Sequence, residues 1–120
     1  INALLVDDNS VNVVVIKKLL ESLNCRVSVA ENGQGALDKT KNETFDIILM
    51  DCQMPIMDGF TATKKIRAQS NHYANTPIIA ITANTMLADR KKCIEAGMND
   101  FLEKPIDLAT LKATIHHWSQ

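Results

Sequence analysis

DIILMDCQMPIMDG, residues 46–59, is the stretch that decides the fold. Its first half predicts a strand over residues 46–50, because a short uninterrupted apolar run is typical of a strand buried on both faces of a sheet. The run leads directly into Asp51, a carboxylate that a buried strand does not require. Two turn-forming pairs, Met54-Pro55 and Asp58-Gly59, predict a fixed loop beyond that aspartate. The stretch therefore predicts a buried strand that delivers an acidic side chain to a loop.

Similar strands alternate with helical patterns on both sides of this stretch. Four more strands are predicted, over residues 3–6, 26–30, 78–81 and 100–102. Helices are predicted after a cap at Ser10 and over residues 33–41, 60–69, 86–96 and 108–118. Because five strand–helix units follow one another, we expect an α/β fold with a doubly wound parallel sheet.

Apolar residues at helical spacing predict which face of a helix packs on the sheet. For the first helix this set is Val11, Val14, Val15, Leu19 and Leu23. For the last helix it is Leu108, Leu111, Ile115 and Trp118. The fourth helix is predicted to end at Gly97, a residue type that commonly caps helix C-termini.

The composition of the 120 residues is that of one domain, and it argues against several classes of protein. A net charge of −1 and five aromatic residues give no signature of a nucleic-acid binder. No apolar run approaches the roughly 20 residues of a membrane span. Three cysteines at long spacing indicate reduced thiols and a cytoplasmic location. We expect residues 1–120 to form one domain that was excised from a longer polypeptide. A membrane anchor can be present elsewhere in that parent chain.

Functional side chains follow the carboxyl ends of four predicted strands. They are Asp7, Asp8, Asp51, Thr82 and Lys104. Because ligands of doubly wound sheets bind beyond these ends, we expect the five side chains to lie together. Two carboxylates about 4 Å apart repel by on the order of 4 kcal/mol near a protein surface. Lys104 offsets part of this repulsion, and a divalent ion that prefers oxygen ligands, Mg²⁺, is predicted to offset the rest.

The chemistry that this cluster predicts is phosphoryl transfer. A carboxylate held against cations can attack a phosphoryl group and form an acyl phosphate, while the cations position and neutralise that group. Taken singly, the same residues have structural explanations: Asp51 as a turn residue, Asp7 and Asp8 as a helix N-terminus, and Lys104 as a solvated charge. Five such residues at four strand ends favour the functional interpretation.

Four segments of the chain resemble those of response-regulator receiver domains of two-component signalling, in order and in spacing. They are LLVDDNSVN (4–12), DIILMDCQMPIMDGF (46–60), TPIIAITAN (76–84) and AGMNDFLEKPI (96–106). The resemblance covers essentially the whole chain, and it implies the flavodoxin-like (βα)5 receiver fold with strand order 2-1-3-4-5. The second and third segments are most similar to receivers attached to hybrid sensor histidine kinases.

The resemblance implies a role for each residue of the cluster. Asp51 resembles the phosphoacceptor, Lys104 the phosphoryl-binding lysine and Thr82 the switch hydroxyl. Mg²⁺, with Mn²⁺ as a substitute, is expected to bind Asp8 and Asp51 directly, Asp7 partly through water, and the backbone carbonyl of Gln53. Phe101 stands at the position of a rotating aromatic residue that is often tyrosine in the family. The Lys104–Pro105 bond is expected to be cis.

The implied function is that of a phosphoacceptor in a two-component phosphorelay. A histidine kinase or a histidine phosphotransfer domain would donate from phosphohistidine to Asp51, and the face of the fourth helix, fifth strand and fifth helix would then change shape. Met86, Leu87 and Ile106 are candidates for that face. We expect a monomer or weak dimer that catalyses only its own phosphorylation and dephosphorylation, without nucleic-acid or membrane contacts of its own. A hybrid parent chain would also carry a histidine kinase.

Four other interpretations stay open. The domain can belong to a separate response regulator whose output domain lies outside this chain, or it can be an interaction module that is never phosphorylated. A flavodoxin-like cofactor binder shares the strand–helix order, but its phosphate loop would begin here with the repelling pair Asp7-Asp8. An aspartate-dependent phosphohydrolase would need a second acid two residues after its nucleophile, where this chain has Gln53.

Overall fold

The computed structural model describes residues 1–52, 57–69, 73, 75–82, 87–104 and 106–118, and of residues 87–90 it describes the backbone alone. Strands and helices alternate along this part of the chain. The strands are β1 (Asn2–Val6), β2 (Arg26–Ala30), β3 (Ile47–Asp51), β4 (Ile78–Thr82) and β5 (Asp100–Glu103). The helices are α1 (Ser10–Ser22), α2 (Gly33–Asn42), α3 (Gly59–Gln69), α4 (Leu87–Ala96) and α5 (Leu108–Trp118). Their boundaries agree with the prediction to within one residue wherever both can be compared.

The five strands are parallel and form one sheet in the order β2-β1-β3-β4-β5, which confirms the doubly wound topology. Asp51, the last residue of β3, lies opposite Ile81 of β4. Thr82, the last residue of β4, lies opposite Glu103 of β5. All strands therefore end along one edge of the sheet, here called the carboxyl edge, and begin along the opposite amino edge.

The sheet is buried on both faces, as its uninterrupted apolar strands predict. Alternate strand residues point to opposite faces. One face packs against α2, α3 and α4, and its largest strand residues are Leu4, Ile48, Met50 and Ile78. The other face packs against α1 and α5 through Leu5, Leu49, Ile79 and Ile81. Burial of each of these side chains contributes about 1.5–3 kcal/mol to folding. Asp51 is buried with the rest of β3, so its carboxylate stands at the end of a rigid element.

The cap of helix α1 differs from its prediction. The N-cap residue is Asn9 and not Ser10, which is already helical. The Asn9 side chain accepts hydrogen bonds from the backbone amides of Val11 at 3.0 Å and Asn12 at 3.1 Å. Asparagine and serine are about equally good caps, so the sequence alone did not decide between neighbouring positions.

The buried face of α1 also differs from its prediction. Ile16 and Leu20 are buried on the sheet, and Leu19 and Leu23 pack partly against the same cluster. The three predicted valines instead face outward, with Val11, Val14 and Val15 exposed by 70%, 53% and 49%. The prediction is wrong for these valines because α1 is apolar on two sides, and the side with the longer side chains packs on the sheet.

Helix α5 follows its prediction except at its first residue. Leu111 and Ile115 are buried and Trp118 is half-buried, whereas Leu108 is exposed by 43%. The indole Nε1 of Trp118 donates a hydrogen bond to Asp100 Oδ2 at 2.9 Å. This bond ties the end of α5 to the start of β5. None of the described helices is both long enough and apolar enough to cross a membrane.

Helix α4 ends at Gly97, as predicted. The φ angle of Gly97 is 102°, which lies in the left-handed region that favours glycine. The backbone amide of Gly97 donates to the Ile94 carbonyl at 3.0 Å, and that of Met98 donates to the Cys93 carbonyl at 2.9 Å. These two bonds close the helix and turn the chain directly into β5.

Candidate functional site at the carboxyl edge

Asp7 follows β1 directly and is completely buried. Its backbone amide donates to the Ala30 carbonyl at 3.1 Å, which extends the pairing of β1 with β2 by one residue. Its Oδ1 atom accepts a hydrogen bond from the amide of Asn9 at 2.9 Å. The side chain is therefore fixed between the end of β1 and the start of α1.

Three carboxylates converge at this edge. Asp7 and Asp51 are buried at 0% and 4% exposure, whereas Asp8 is exposed to solvent. One carboxylate oxygen from each lies within 4.8 Å of the other two. The acidic cluster that the sequence predicted from three separate positions is therefore present. We call Asp7, Asp8 and Asp51 the acidic cluster.

Lys104 brings a positive charge to the cluster from the end of β5. Its backbone amide donates to the Thr82 carbonyl at 2.8 Å, which carries the pairing of β4 with β5 past the last strand residue. Its Nζ atom lies 3.5 Å from Asp51 Oδ2 and 3.8 Å from Asp7 Oδ2. Both distances exceed the roughly 2.8 Å of a charge-assisted hydrogen bond. One ammonium group thus faces two of the three carboxylates at distances longer than a strong hydrogen bond.

The Oδ2 atom of Asp7 is buried and accepts no hydrogen bond from the residues that the structure describes. Leaving a buried acceptor unsatisfied costs about 1–3 kcal/mol, and more when the group is charged. A cation held by several carboxylate oxygens would remove this cost. Oxygen ligands, most of them charged, are those that Mg²⁺ prefers, so the acidic cluster fits that ion.

The two predicted switch residues lie on neighbouring strands. Thr82 is half-buried at the end of β4, next to the paired backbone of Lys104. Phe101 of β5 lies opposite Ala80, and it is half-buried against the core cluster that contains Met50. Both positions agree with those that the resemblance implies. Their roles in a switch stay predictions.

Several predicted residues lie outside the described part of the chain. They include Gln53, whose carbonyl is the predicted metal ligand, and Pro105, whose peptide bond is predicted to be cis. They also include Met86, a candidate for the face of the fourth helix, fifth strand and fifth helix. All three predictions stay predictions. The side chain of Leu87 is likewise outside the description. Ile106 is half-buried against the cluster formed with α1 and α5.

Two residues that shape the site were missed by the sequence analysis. Asn9 caps α1 and also donates its amide to Asp7. Gly59 donates its amide to the Cys52 carbonyl at 3.2 Å, and a Cβ at this position would collide with the Asp51 carbonyl oxygen. The Asp58-Gly59 pair indicated a turn, but such a signal does not say which atoms meet across a loop.

The fold and the site together define the class of flavodoxin-like receiver folds. A sequence profile described as "Response regulator receiver domain" matches residues 3–116. The chain belongs to this family, the receiver domains of two-component signalling.

The chain is similar to the receivers of hybrid kinases, which agrees with the resemblance seen in the sequence. Hybrid signal transduction histidine kinase E of Dictyostelium discoideum is 45% identical over 98% of this chain. Sensor protein GacS of Pseudomonas syringae is 38% identical over 97% of this chain. The chain spans only 7% and 13% of the lengths of these two relatives.

Solved structures of receiver domains superpose closely on this fold. The receiver domain of sensor histidine kinase PA1611 from Pseudomonas aeruginosa has a TM-score of 0.91 and 44% identity, covering 98% of this chain and 96% of that one. That structure holds a magnesium ion in its active-site cleft. The receiver domain of Ssk1 from Saccharomyces cerevisiae, solved with the histidine phosphotransfer protein Ypd1, has a TM-score of 0.90 and 32% identity over 99% of this chain and 88% of the matched one.

Proposed function

We propose that this chain accepts a phosphoryl group from a phosphohistidine onto Asp51, as the receiver of a hybrid histidine kinase. The observation that carries the proposal is the position of the Asp51 carboxylate, which is buried, 3.5 Å from the Lys104 ammonium and within 4.8 Å of two further carboxylates. A stable structure gains nothing from such crowding, because like charges repel in a partly buried site. A bound cation would offset this repulsion, and the site could then accept a phosphoryl group.

The chemical step is a phosphoryl transfer. A carboxylate oxygen of Asp51 attacks phosphorus, the bond between phosphorus and the histidine nitrogen of the donor breaks, and that nitrogen takes up a proton. An acyl phosphate forms on Asp51. Lys104, whose ammonium lies 3.5 Å from Asp51 Oδ2, neutralises charge on the phosphoryl oxygens.

Asp7, Asp8 and Asp51 would hold Mg²⁺ or Mn²⁺, together with the backbone carbonyl of Gln53. When bound, the ion supplies positive charge that offsets the carboxylates and the incoming phosphoryl group. The unsatisfied Oδ2 of Asp7 supports this assignment. The structure of the related PA1611 receiver, with its magnesium ion, supports it as well.

The partner surface includes the exposed side of α1. Val11, Val14 and Val15 lie on one side of the helix, directly after the acidic cluster along the chain. An exposed apolar strip beside a reactive group suits a helical partner that must bring its histidine to Asp51. We assign the partner to a histidine kinase or a histidine phosphotransfer domain, in the cytoplasm.

The signal would leave through the face formed by α4, β5 and α5. Phosphorylation adds nearly two negative charges at Asp51. Thr82, at the neighbouring strand end, would donate its hydroxyl to the new group, and Phe101 would turn further into the core. This local change would shift the equilibrium between two conformations of that face.

The test uses acetyl phosphate as a small donor and intact mass spectrometry as the readout. The wild type is expected to gain one phosphoryl group when Mg²⁺ is present, and alkaline treatment should remove it. Asp51→Asn should gain none. Asp38→Asn, an exposed aspartate of α2, is the matched control and should behave as the wild type.

Two results would contradict the proposal. A base-labile phosphate on Asp51→Asn at the wild-type level would place the acceptor elsewhere. A wild type that takes up no phosphoryl group from either acetyl phosphate or a phosphohistidine donor would favour the interaction module that is never phosphorylated.

A further inference from the structure

We propose that Gly33, the first residue of α2, is a positioning residue for the phosphoacceptor loop. The inference rests on the proposed function, because it concerns how Asp51 is held for reaction. Gly33 lies outside the acidic cluster and belongs to a different strand–helix unit from Asp51. It acts through Met57, which lies in the connection between β3 and α3.

Gly33 meets Met57 at a distance that only glycine allows. A Cβ built on Gly33 would lie 2.8 Å from Met57 Cβ, 2.9 Å from its Cγ and 2.9 Å from its carbonyl oxygen. Two of these three atoms belong to the base of the side chain and one to the backbone, so the contact cannot be relieved by moving a flexible side-chain end. The start of α2 therefore packs directly against the loop.

The other contact lies where the same loop enters α3. A Cβ on Gly59 would lie 3.0 Å from Cys52 Cα and would collide with the Asp51 carbonyl oxygen. The amide of Gly59 also donates to the Cys52 carbonyl at 3.2 Å. The end of the loop thus packs back onto the residue that carries the reactive carboxylate.

Residues 57–59 are therefore held by two glycine contacts, one to α2 and one to the backbone of Asp51 and Cys52. Displacing Met57 disturbs the packing of Gly59, two residues later, against the backbone of Asp51. A displacement of about 1 Å in a reacting group can cost on the order of 100-fold in rate. A methyl group on Gly33 should therefore slow phosphorylation although it touches no reacting atom.

The chain offers a matched control two residues away. Gly35 lies in the same first turn of α2, and a Cβ there would meet Ala30 Cβ at 3.5 Å and Asn32 Oδ1 at 3.6 Å, which are ordinary contacts. Neither glycine has a φ in the left-handed region, because the one positive-φ glycine of the described residues is Gly97. Gly33→Ala and Gly35→Ala therefore differ in the contact with Met57 and not in backbone strain.

The experiment measures the rate of phosphorylation by acetyl phosphate, and the Mg²⁺ affinity, for both variants. Gly33→Ala is expected to react about tenfold more slowly than the wild type, while Gly35→Ala stays within about twofold of it. Urea unfolding at the same pH shows whether each variant is folded. A merely structural role would lower the urea midpoint of Gly33→Ala without changing the rate of its folded fraction.

A double-mutant cycle tests whether the effect passes through Met57. Met57→Gly removes the two side-chain atoms that a Cβ on Gly33 would meet and leaves the contact with the backbone carbonyl oxygen. In this background the Gly33→Ala substitution should therefore slow the reaction less than it does in the wild type. If Gly33→Ala alone does not fold, the phosphorylation rates of Met57→Gly and of the double variant are compared instead. Similar rates in these two folded variants would support a contact that acts through Met57.

Equal rates for Gly33→Ala and Gly35→Ala would overturn the inference while leaving the proposed function intact. So would a double variant that unfolds, or that is as impaired relative to Met57→Gly as the single variant is relative to the wild type. A wild type that is not phosphorylated would instead overturn the proposed function.

Discussion

The amino edge and the carboxyl edge of the sheet differ in how fully their charged groups are hydrogen-bonded. At the amino edge, the guanidinium of Arg67 makes five hydrogen bonds of 2.5–3.0 Å. Its acceptors are the carbonyls of Tyr73, Thr76 and Gly97 and the side chain of Asn99. Burial lowers the pKa of Arg67 from its ordinary value, but arginine stays charged at any ordinary pH. Its five N–H groups thus join α3 to the connection that leads into β4 and to the residues between α4 and β5.

At the carboxyl edge, the charged groups are close together, and one buried carboxylate oxygen lacks a hydrogen bond among the described residues. Lys104 lies 3.5 Å and 3.8 Å from its two carboxylates, and Asp7 Oδ2 accepts no hydrogen bond from described residues. The Arg67 guanidinium at the amino edge thus uses every donor it has, although the buried Oε1 of Gln69 nearby accepts no hydrogen bond from described residues, whereas the carboxyl edge holds a buried carboxylate oxygen without a hydrogen bond. The difference suggests that the amino edge supplies stability, whereas the carboxyl edge gives up stability for binding.

The largest expected effect comes from breaking the amino edge. Arg67→Ala leaves several carbonyl oxygens without donors, and we expect a loss of about 3 kcal/mol in the free energy of unfolding. Urea denaturation measures this loss. Lys64→Ala, an exposed residue of the same helix, is the control and should lie within about 0.5 kcal/mol of the wild type. If Arg67→Ala were as stable as its control, the amino edge would not be the stabilising one.

The opposite change is expected at the carboxyl edge. Asp7→Asn removes a buried charge from the acidic cluster, so without Mg²⁺ the free energy of unfolding should rise by about 1 kcal/mol. In the wild type, Mg²⁺ at 100 times its dissociation constant should add about 2.7 kcal/mol. The variant should lose most of that gain.

Asp46→Asn at the amino edge is the control for Asp7→Asn. Asp46 Oδ2 accepts the Asn2 amide at 2.8 Å, and an asparagine oxygen can accept the same bond. This control should not become more stable and should keep the response to Mg²⁺. A destabilised Asp7→Asn that still responds to Mg²⁺ would contradict the assignment of the carboxyl edge.

A smaller effect is expected beside the carboxyl edge, on the exposed side of α1. Val14→Lys should weaken transfer from a phosphohistidine donor about tenfold, or about 1.4 kcal/mol, because it places a charge on the apolar strip. Phosphorylation by acetyl phosphate should not change, since this donor needs no docking surface. Asn42→Lys is the control, because it places the same charge on an exposed residue at the end of α2, away from the carboxyl edge. Equal losses of transfer rate in both variants would contradict the proposal that the partner binds to the exposed side of α1.

The smallest effect concerns an exposed cap near the carboxyl edge. Asp107 accepts hydrogen bonds from the amide of Thr110 at 2.7 Å and from its hydroxyl at 3.0 Å, and these bonds hold the pKa of Asp107 below its ordinary value of 3.8. A lowered pKa in the folded state means that the stabilising contribution is present above pH 3.8 and is lost as the pH falls further. The thermal midpoints of wild type and Asp107→Ala should therefore differ at neutral pH and converge in acid. A difference that is independent of pH would contradict this explanation.

Much of the fold was readable from sequence because the signals were local and strong. The four apolar residues of β3 are all buried, and the run is too short for a buried helix. Gly97 adopts the left-handed conformation that its position after α4 predicted. The rule that parallel strands end at one edge then placed Asp7, Asp51 and Lys104 together without any knowledge of packing.

The remaining features depend on contacts between elements. Two faces of α1 are apolar, so only packing decided that Ile16 and Leu20 are buried and the valines exposed. The five hydrogen bonds of Arg67 and the contact between Gly33 and Met57 join residues from separate units of the chain. No local sequence pattern predicts such contacts, because each depends on how two elements pack against each other.

The most direct test of the account follows backbone amide NMR signals while Mg²⁺ is added. We expect saturable shifts of the amides of Asp7, Asp8 and Cys52 at the carboxyl edge, with little change at Arg67 and Asn99 on the amino edge. Unchanged signals at the carboxyl edge, or shifts of equal size at both edges, would contradict the claim that the acidic cluster forms the cation site.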